Sequence, residues 1–410
     1  MNSYVIERRF KNPLVSGVIA VLLATIIASV FWPIWGLISK NIIQIIAATG
    51  LSQCEPAVQN AYIKDVTEGT FFWMSINSWI WFTLVFTNYG KYKKTHLQPA
   101  AGLRYSALAF LSGILGYVVL VGLIGIWWRP FNLGVMLMPQ TVNDVMLATE
   151  GWAAANFYAV PVLICQIAYV ALFGKWPFTK AGEPWDSFGV MMTSTAAALI
   201  VWFAMFVPSF LKFQLAGEQI VSQPMGSFPS VLAWCQCFIL WFLFPVICTE
   251  GYPAKIFAKE QPYRGFVGLG ISLVMAFIMR GALRVVLAPL DLLNGQPVDL
   301  VVASLVLSVI TVGLTWHHQF FDYPDKSKVK NEVSRVLIRL AIVLVVGTIM
   351  GLIWMKVYVF LPFGSNDMGL GYPTLGLIAG QFIYMMPMLF LNTFFDKWPL
   401  TQIKCIENKD

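Results

Sequence analysis

The chain has 410 residues and a mean hydropathy of +0.71, with 58% hydrophobic and only 11% charged residues. Soluble domains carry about 25% charged residues, so a soluble globular enzyme and a disordered chain are both excluded, and a polytopic helical membrane protein remains. The net charge of +7 does not imply nucleic acid, because the basic residues sit in short clusters between apolar runs, as in cytoplasmic loops of membrane proteins.

At the N-terminus, Arg8, Arg9 and Lys11 precede a long apolar run. That run exceeds a signal-peptide core and has no small-residue cleavage pattern before Phe31-Trp32-Pro33, so it reads as a retained span. Ten spans are predicted, roughly over 14–39, 70–88, 104–128, 152–173, 187–211, 229–249, 265–290, 300–321, 336–361 and 371–395. The expected fold is all-α, one membrane domain over residues 1–410. Loops rich in Lys and Arg alternate with poor ones: Lys91, Lys93, Lys175, Lys255, Lys326 and Arg335 lie on one side, Lys64 and Arg129 on the other. The positive-inside rule then puts both termini in the cytoplasm of a cell-membrane protein.

Between the first two spans, and again between the third and fourth, the connections are longer. Segments 51–69 and 129–151 mix charged and apolar residues and are expected to lie as amphipathic helices on the outer membrane surface.

Five even-numbered spans end in a related signature: Gly90-Lys91-Tyr92, Gly174-Lys175-Trp176-Pro177, Gly251-Tyr252-Pro253, Asp322-Tyr323-Pro324 and Asp396-Lys397-Trp398-Pro399. A second echo opens the odd spans: Pro13 with Gly17, Pro99 with Gly102, Pro184 with Gly189 and Pro262 with Gly265. An aromatic ring suits the headgroup level, and Gly, Asp or Pro suits a helix end. The shared period predicts five tandem helical hairpins of the same orientation, over 13–92, 99–176, 184–252, 262–323 and 332–398.

Span seven carries the most informative charges. The apolar run Phe266–Met279 has 14 residues, and a span needs about 20, so the span includes Arg280. Arg280 and Arg284 share a helix face, with Asp291 the nearest carboxylate in sequence. Two such guanidiniums suit a carboxylate or phosphate head. Uncharged groups at Asn156, Gln166, Gln236, Gln381 and Asn392 either line a cavity or bond between helices. The candidate substrate-binding residues are therefore Arg280, Arg284, Asp291, Gln381 and Asn392.

Catalytic and cofactor signatures are thin. There is no Walker loop, no dinucleotide glycine pattern, no HExxH and no GxSxG. Adjacent His317 and His318 face different sides of a helix and have no partner for a haem. Cys235 and Cys237 sit in an apolar span and read as small hydrophobes. No cofactor and no metal are expected. Three function classes remain. First is a transporter or permease for a small anionic or amphipathic solute. Second is a non-transporting subunit that anchors partner proteins or lipids. Third is a membrane enzyme acting on a lipid-like substrate. Expected partners are membrane lipids, with a small-molecule substrate, partner subunits or a second copy of the chain as further candidates, and no nucleic acid. A closed, water-accessible cavity near the midplane, lined by Arg280 and Gln or Asn residues, would favour transport, and a flat, filled row of hairpins a scaffold.

Overall fold

The computed structural model describes residues 3–88, 98–126, 128–156, 158–206, 214–215, 218–219, 226–364 and 373–406. Long helices dominate it: α1 (Pro13–Ile46), α2 (56–85), α3 (Ala100–Ile124), α4 (Val142–Phe173), α5 (Trp185–Met205), α6 (Phe228–Ile247), α7 (Tyr263–Leu287), α8 (Val298–Gln319), α9 (Glu332–Val357) and α10 (Pro373–Thr393). Among the described residues, nine of these are long and apolar enough to cross a membrane. The protein is thus a multi-pass, all-α membrane protein. Helix α2 is not one of the nine, because its buried face carries Lys64, Glu68, Ser75, Asn77 and Ser78.

Burial divides the helices into two sets. The most apolar stretches of α4, α6, α8 and α10 are 53%, 83%, 89% and 67% buried, against 28%, 28%, 22%, 17% and 28% for α1, α3, α5, α7 and α9. Even-numbered helices therefore form the interior. Helix α6 packs against α4 and α8, and α8 against α10. The circle closes through Trp79 Nε1, which donates to Thr393 Oγ1 (2.9 Å), and Trp81 Nε1, which donates to Gln166 Oε1 (3.1 Å).

Odd-numbered helices lie outside in the grooves. Helix α1 packs against α10 and α8, α3 against α2 and α10, α5 against α4 and α2, α7 against α6 and α4, and α9 against α8. Each meets the interior through a narrow stripe of mostly small residues. In α1 the stripe is Gly17, Ala20, Ala24 and Ala28. In α7 it is Gly265, Gly268, Ser272 and Ala276. Small side chains let backbones approach closely, the usual packing of helices in lipid. The remaining faces expose residues such as Leu22, Ile26, Val30, Val274 and Phe277, which is the composition a hydrocarbon solvent requires.

Four inner helices end in one hydrogen-bonded turn. The N–H groups of Phe86, Thr249, Phe320 and Phe395 donate to the carbonyl five residues back, and those of Asn88, Gly251, Asp322 and Lys397 to the carbonyl six back. The pairs Thr87–Asn88, Glu250–Gly251, Phe321–Asp322 and Asp396–Lys397 are left-handed, a conformation that glycine alone adopts without penalty. In α4 only Gly174 is left-handed. An aromatic follows each turn: Tyr252, Tyr323 and Trp398, with Tyr89 in the matching sequence position of the first. The expected signature Gly90-Lys91-Tyr92 lies outside the described residues and three positions out of this register. The bonds Trp176–Pro177, Tyr252–Pro253, Tyr323–Pro324 and Trp398–Pro399 are cis.

Segment 51–69 does not form a separate surface helix, and segment 129–151 forms separate helix only in the short pieces Arg129–Phe131 and Leu133–Leu137. Residues 56–72 continue directly into the rest of α2, and residues 142–156 form the first part of α4. These extensions pack against each other. Tyr62 Oη and Trp152 Nε1 both donate to the Met136 carbonyl (2.6 and 2.9 Å), so the apolar faces meet protein instead of a flat interface. Beyond the helices, an N-terminal strand (Ser3–Arg8) pairs antiparallel with a C-terminal strand (Thr401–Ile406), Ser3 opposite Ile406 and Arg8 opposite Thr401.

Candidate functional site

Inside the circle of inner helices lies a cavity of about 390 Å³ to which all five contribute. Its lining follows from helix periodicity. Counting back from Asn88, Lys175, Gly251, Asp322 and Lys397, the residues four earlier are Leu84, Ala171, Ile247, His318 and Thr393, and all five line it. Eight earlier come Ile167, Leu243, Leu314 and Leu389, and twelve earlier Ile76, Ile239, Ile310 and Met385. One side of each inner helix thus faces the axis at intervals of four residues, about one turn. Two layers are wholly apolar.

Polar groups mark the two ends. At the end near the turns stand Thr83, Asn88, His317, His318 and Thr393. His317 Nδ1 lies 2.8 Å from Asp322 Oδ1, and His318 Nδ1 2.9 Å from Asn392 Nδ2. At the other end Gln236 joins Leu307 and Phe382, each fifteen residues before its turn residue. Gln236 is 1% exposed, and neither its amide oxygen nor its nitrogen has a hydrogen-bond partner. Asn88 Oδ1 is likewise buried and unpaired. The lining contains no Lys, Arg, Asp or Glu among the described residues. Segments Trp73–Asn77 and Trp81–Val85 of α2 and Leu163–Ile167 of α4 are wound as π-helix, and contribute Ile76, Thr83, Leu84 and Ile167 to the lining. Such widened turns are frequent at functional sites.

A second pocket, of about 470 Å³, opens at the turn end between α6, α9 and the segment after α8. It shares Val246 and Ile247 with the central cavity and adds Glu250, Asp322, Asp325, Lys326 and Arg339. Glu250 is gripped by Arg335 through Nε and Nη2 (both 2.6 Å), and by Arg339 Nη1 (3.2 Å). The Arg335 hydrogen bonds hold the Glu250 carboxyl below its ordinary value of 4.5. Glu250 thus anchors α9 to the end of α6.

The predicted site residues separate into different places. Arg280 pairs with Asp299, not with Asp291: Nε lies 3.0 Å from Oδ1 and Nη2 3.1 Å from Oδ2, and Nη2 also donates to Ser230 Oγ. Arg284 Nε stands 3.7 Å from the same carboxylate, with its side chain half exposed. Asp291 is exposed and left-handed, and accepts from Gly295 N (2.6 Å) to close the turn between α7 and α8. Asp299, in the first turn of α8, is the carboxylate that returns across the hairpin to Arg280. Gln381 is buried between α10 and α8, where Ser308 Oγ donates to its Oε1 (2.9 Å) and its Nε2 donates to Ser304 O (3.2 Å). Asn392 reaches the cavity through His318. Asp299 and the unpaired state of Gln236 were not apparent in the sequence. Asp299 looks there like an ordinary acidic residue at a helix start. Comparison of the chain with protein families, with curated proteins and with solved structures finds no match.

Proposed function

We propose that the protein is a permease for a small amphipathic solute, which crosses along the axis enclosed by the inner helices. The observation that carries this reading is the cavity to which one side of every inner helix contributes. A scaffold of stacked hairpins has no reason to keep such a space, because close packing is worth more than a void. The pocket at the turn end shares Val246 and Ile247 with the cavity and offers a polar way in. Apolar layers between polar ends resemble the hydrophobic constrictions that gate narrow pathways. Arg280 is engaged by Asp299 and Ser230, so an anionic solute loses its expected partner and the amphipathic solute is the better choice.

The same reading makes the chain five hairpins of one orientation in a closed circle, with α2 as the tenth span and both termini in the cytoplasm of a cell membrane. The recurring turn and the cyclic packing of odd helices on even ones support it. Pairing of the terminal strands, which brings the chain ends to one face, agrees with an even number of crossings.

The test is flux into proteoliposomes, measured by stopped-flow light scattering with glycerol and 1,2-alkanediols of increasing length. The protein is expected to raise permeability for a subset of them, and Leu243→Trp, which fills the cavity, to abolish the increase. Permeability equal to that of empty vesicles for every solute would remove transport and favour the anchoring subunit.

A further inference from the structure

Gln236 is one of two buried carboxamides among the described residues with both ends unpaired; the other, Asn77 of α2, does not line the cavity, whereas Gln236 does. Gln166 and Gln381 carry the same carboxamide and are satisfied, Gln166 by Trp81 and Thr195 and Gln381 by Ser304 and Ser308. Gln236 is as deeply buried, faces the cavity, and has both ends of its amide unpaired. A buried amide without partners is costly to keep. An apolar side chain would fill the position as Leu307 and Phe382 do at the matching positions of α8 and α10. The amide offers two donors and an acceptor oxygen with two lone pairs. With no Lys, Arg, Asp or Glu in the lining among the described residues, an ion would have no counter-charge there. Below Gln236 the wall is hydrocarbon from Ile239 and Leu243 of α6, Ile310 of α8 and Met385 of α10.

We infer that Gln236 binds the head of an uncharged amphiphile, a hydroxyl or carboxamide group that both donates and accepts, while the hydrocarbon body lies against Ile239, Leu243, Ile310 and Met385. The inference rests on the permease reading and names its substrate class. Asn88 Oδ1, unpaired at the other end of the cavity, supplies a second acceptor. Gly251, which matches Asn88 in its turn, lies fifteen residues beyond Gln236, about 22 Å along the helix axis. A short amphiphile therefore meets the two groups in succession.

The experiment uses the full chain in lipid nanodiscs and two photoreactive probes, a ten-carbon alkanol and the ten-carbon alkane, each with a mid-chain diazirine. Labelled residues are mapped by mass spectrometry. The alkanol is expected to label Leu243, Ile310 and Met385 about ten-fold more than the alkane does, the ratio one hydrogen-bonded head group gives. Gln236→Met, which keeps length and volume, is expected to bring the alkanol down to the alkane level. Labelling of lipid-facing Leu22 and Val274 should stay constant throughout. Equal cavity labelling by the two probes in the wild type, a comparison that needs no variant to fold, overturns the inference. So does undiminished alkanol labelling in Gln236→Met, the result expected if water alone satisfies the amide. Labelling that depends on Gln236 in a protein without flux upholds head-group recognition and removes transport. Flux with labelling indifferent to Gln236 does the reverse.

Discussion

Arg280 shows what a single residue discloses before its surroundings are known. Its depth in the span follows from counting apolar residues, and a guanidinium at that depth needs protein or a polar cavity around it. The partner does not follow, because Asp299 is 19 residues further on, across a turn whose path depends on the left-handed Asp291. The bidentate pair bridges α7 and α8 and reaches Ser230 of α6. Arg280→Leu strips the buried Asp299 carboxylate of its bidentate partner, leaving only the half-exposed Arg284 at 3.7 Å, and is expected to cost about 3–5 kcal/mol, measured as loss of folded protein in a detergent melt. Arg280→Lys should recover only part, since a point charge cannot replace the planar fork. The double variant Arg280→Leu/Asp299→Leu should regain most of the loss; if it is as unstable as Arg280→Leu, the carboxylate deprived of its bidentate partner is not the cause. Glu250 makes a pH prediction. Its carboxyl titrates lower in the folded protein than in the unfolded chain, so it adds stability above its ordinary value and loses that contribution as pH falls through the folded value. The gap in melting temperature between wild type and Glu250→Gln should be constant near about pH 6 and narrow below about pH 4.5. A gap that widens on acidification reverses the sign and rejects the Arg335 pairing as its source.

At the level of helices, the sequence announced most of the fold. Six of the ten expected spans match the observed helices to within four residues at each end, because a bilayer demands long apolar runs and little else produces them; α1 runs seven residues past its expected end, and the expected end of the fifth span lies outside the described residues. The exceptions are instructive. In α2 and α4 the expected spans began at 70 and 152, yet the helices start at Pro56 and Val142. Their early turns bury against each other and need less hydrophobicity than lipid contact does. Periodicity along one segment carries no record of which other segment will cover it. The inner and outer roles were also hidden, since both sets are apolar all round. Only the stripes of small residues separate them, and these read in advance as scattered Gly and Ala. They permit a paired test. A Cβ at Gly347 of α9 would approach Val309 Cα to 2.7 Å, whereas one at Gly281 of α7 meets nothing within 4 Å. Gly347→Leu is expected to destabilise by about 1–3 kcal/mol through overpacking, and Gly281→Leu to be neutral in the same melt. Equal effects would mean that the stripe does not seat the outer helices.

For the molecule as a whole, the charge pattern predicts sidedness and the pairing of the strands predicts closure. Exposed cysteines introduced at Gln140 and Lys330 should label from opposite sides of the membrane with an impermeant maleimide. Labelling of both from one side would discard the ten-span arrangement. Closure rests partly on the strands. Arg8 lies 4.1 Å and Lys397 3.7 Å from the centre of the Phe321 ring, so the strand pair is tied to the turn that ends α8. Phe321→Ala should then loosen both ends of the chain, with faster amide exchange over residues 3–8 and 401–406 and little change in α6. The closed form could not be read beforehand: strands of six residues at the chain ends carry no mark of each other, and the cavity lining is shared by five segments far apart in sequence.

In the proposed arrangement of five hairpins, with strands 3–8 and 401–406 joined edge to edge, no hairpin is first in any structural sense. The order in which the ribosome makes the five pieces is only one of several that would give the same object, because the packing of α1 on α10 and α8 is of the same kind as the packing of α3 on α2 and α10. A circular permutant that joins residues 3–8 and 401–406 through a short spacer and starts at Glu183, in the exposed connection after Gly182, should insert and fold as the unpermuted chain does, and give the same result in the flux assay.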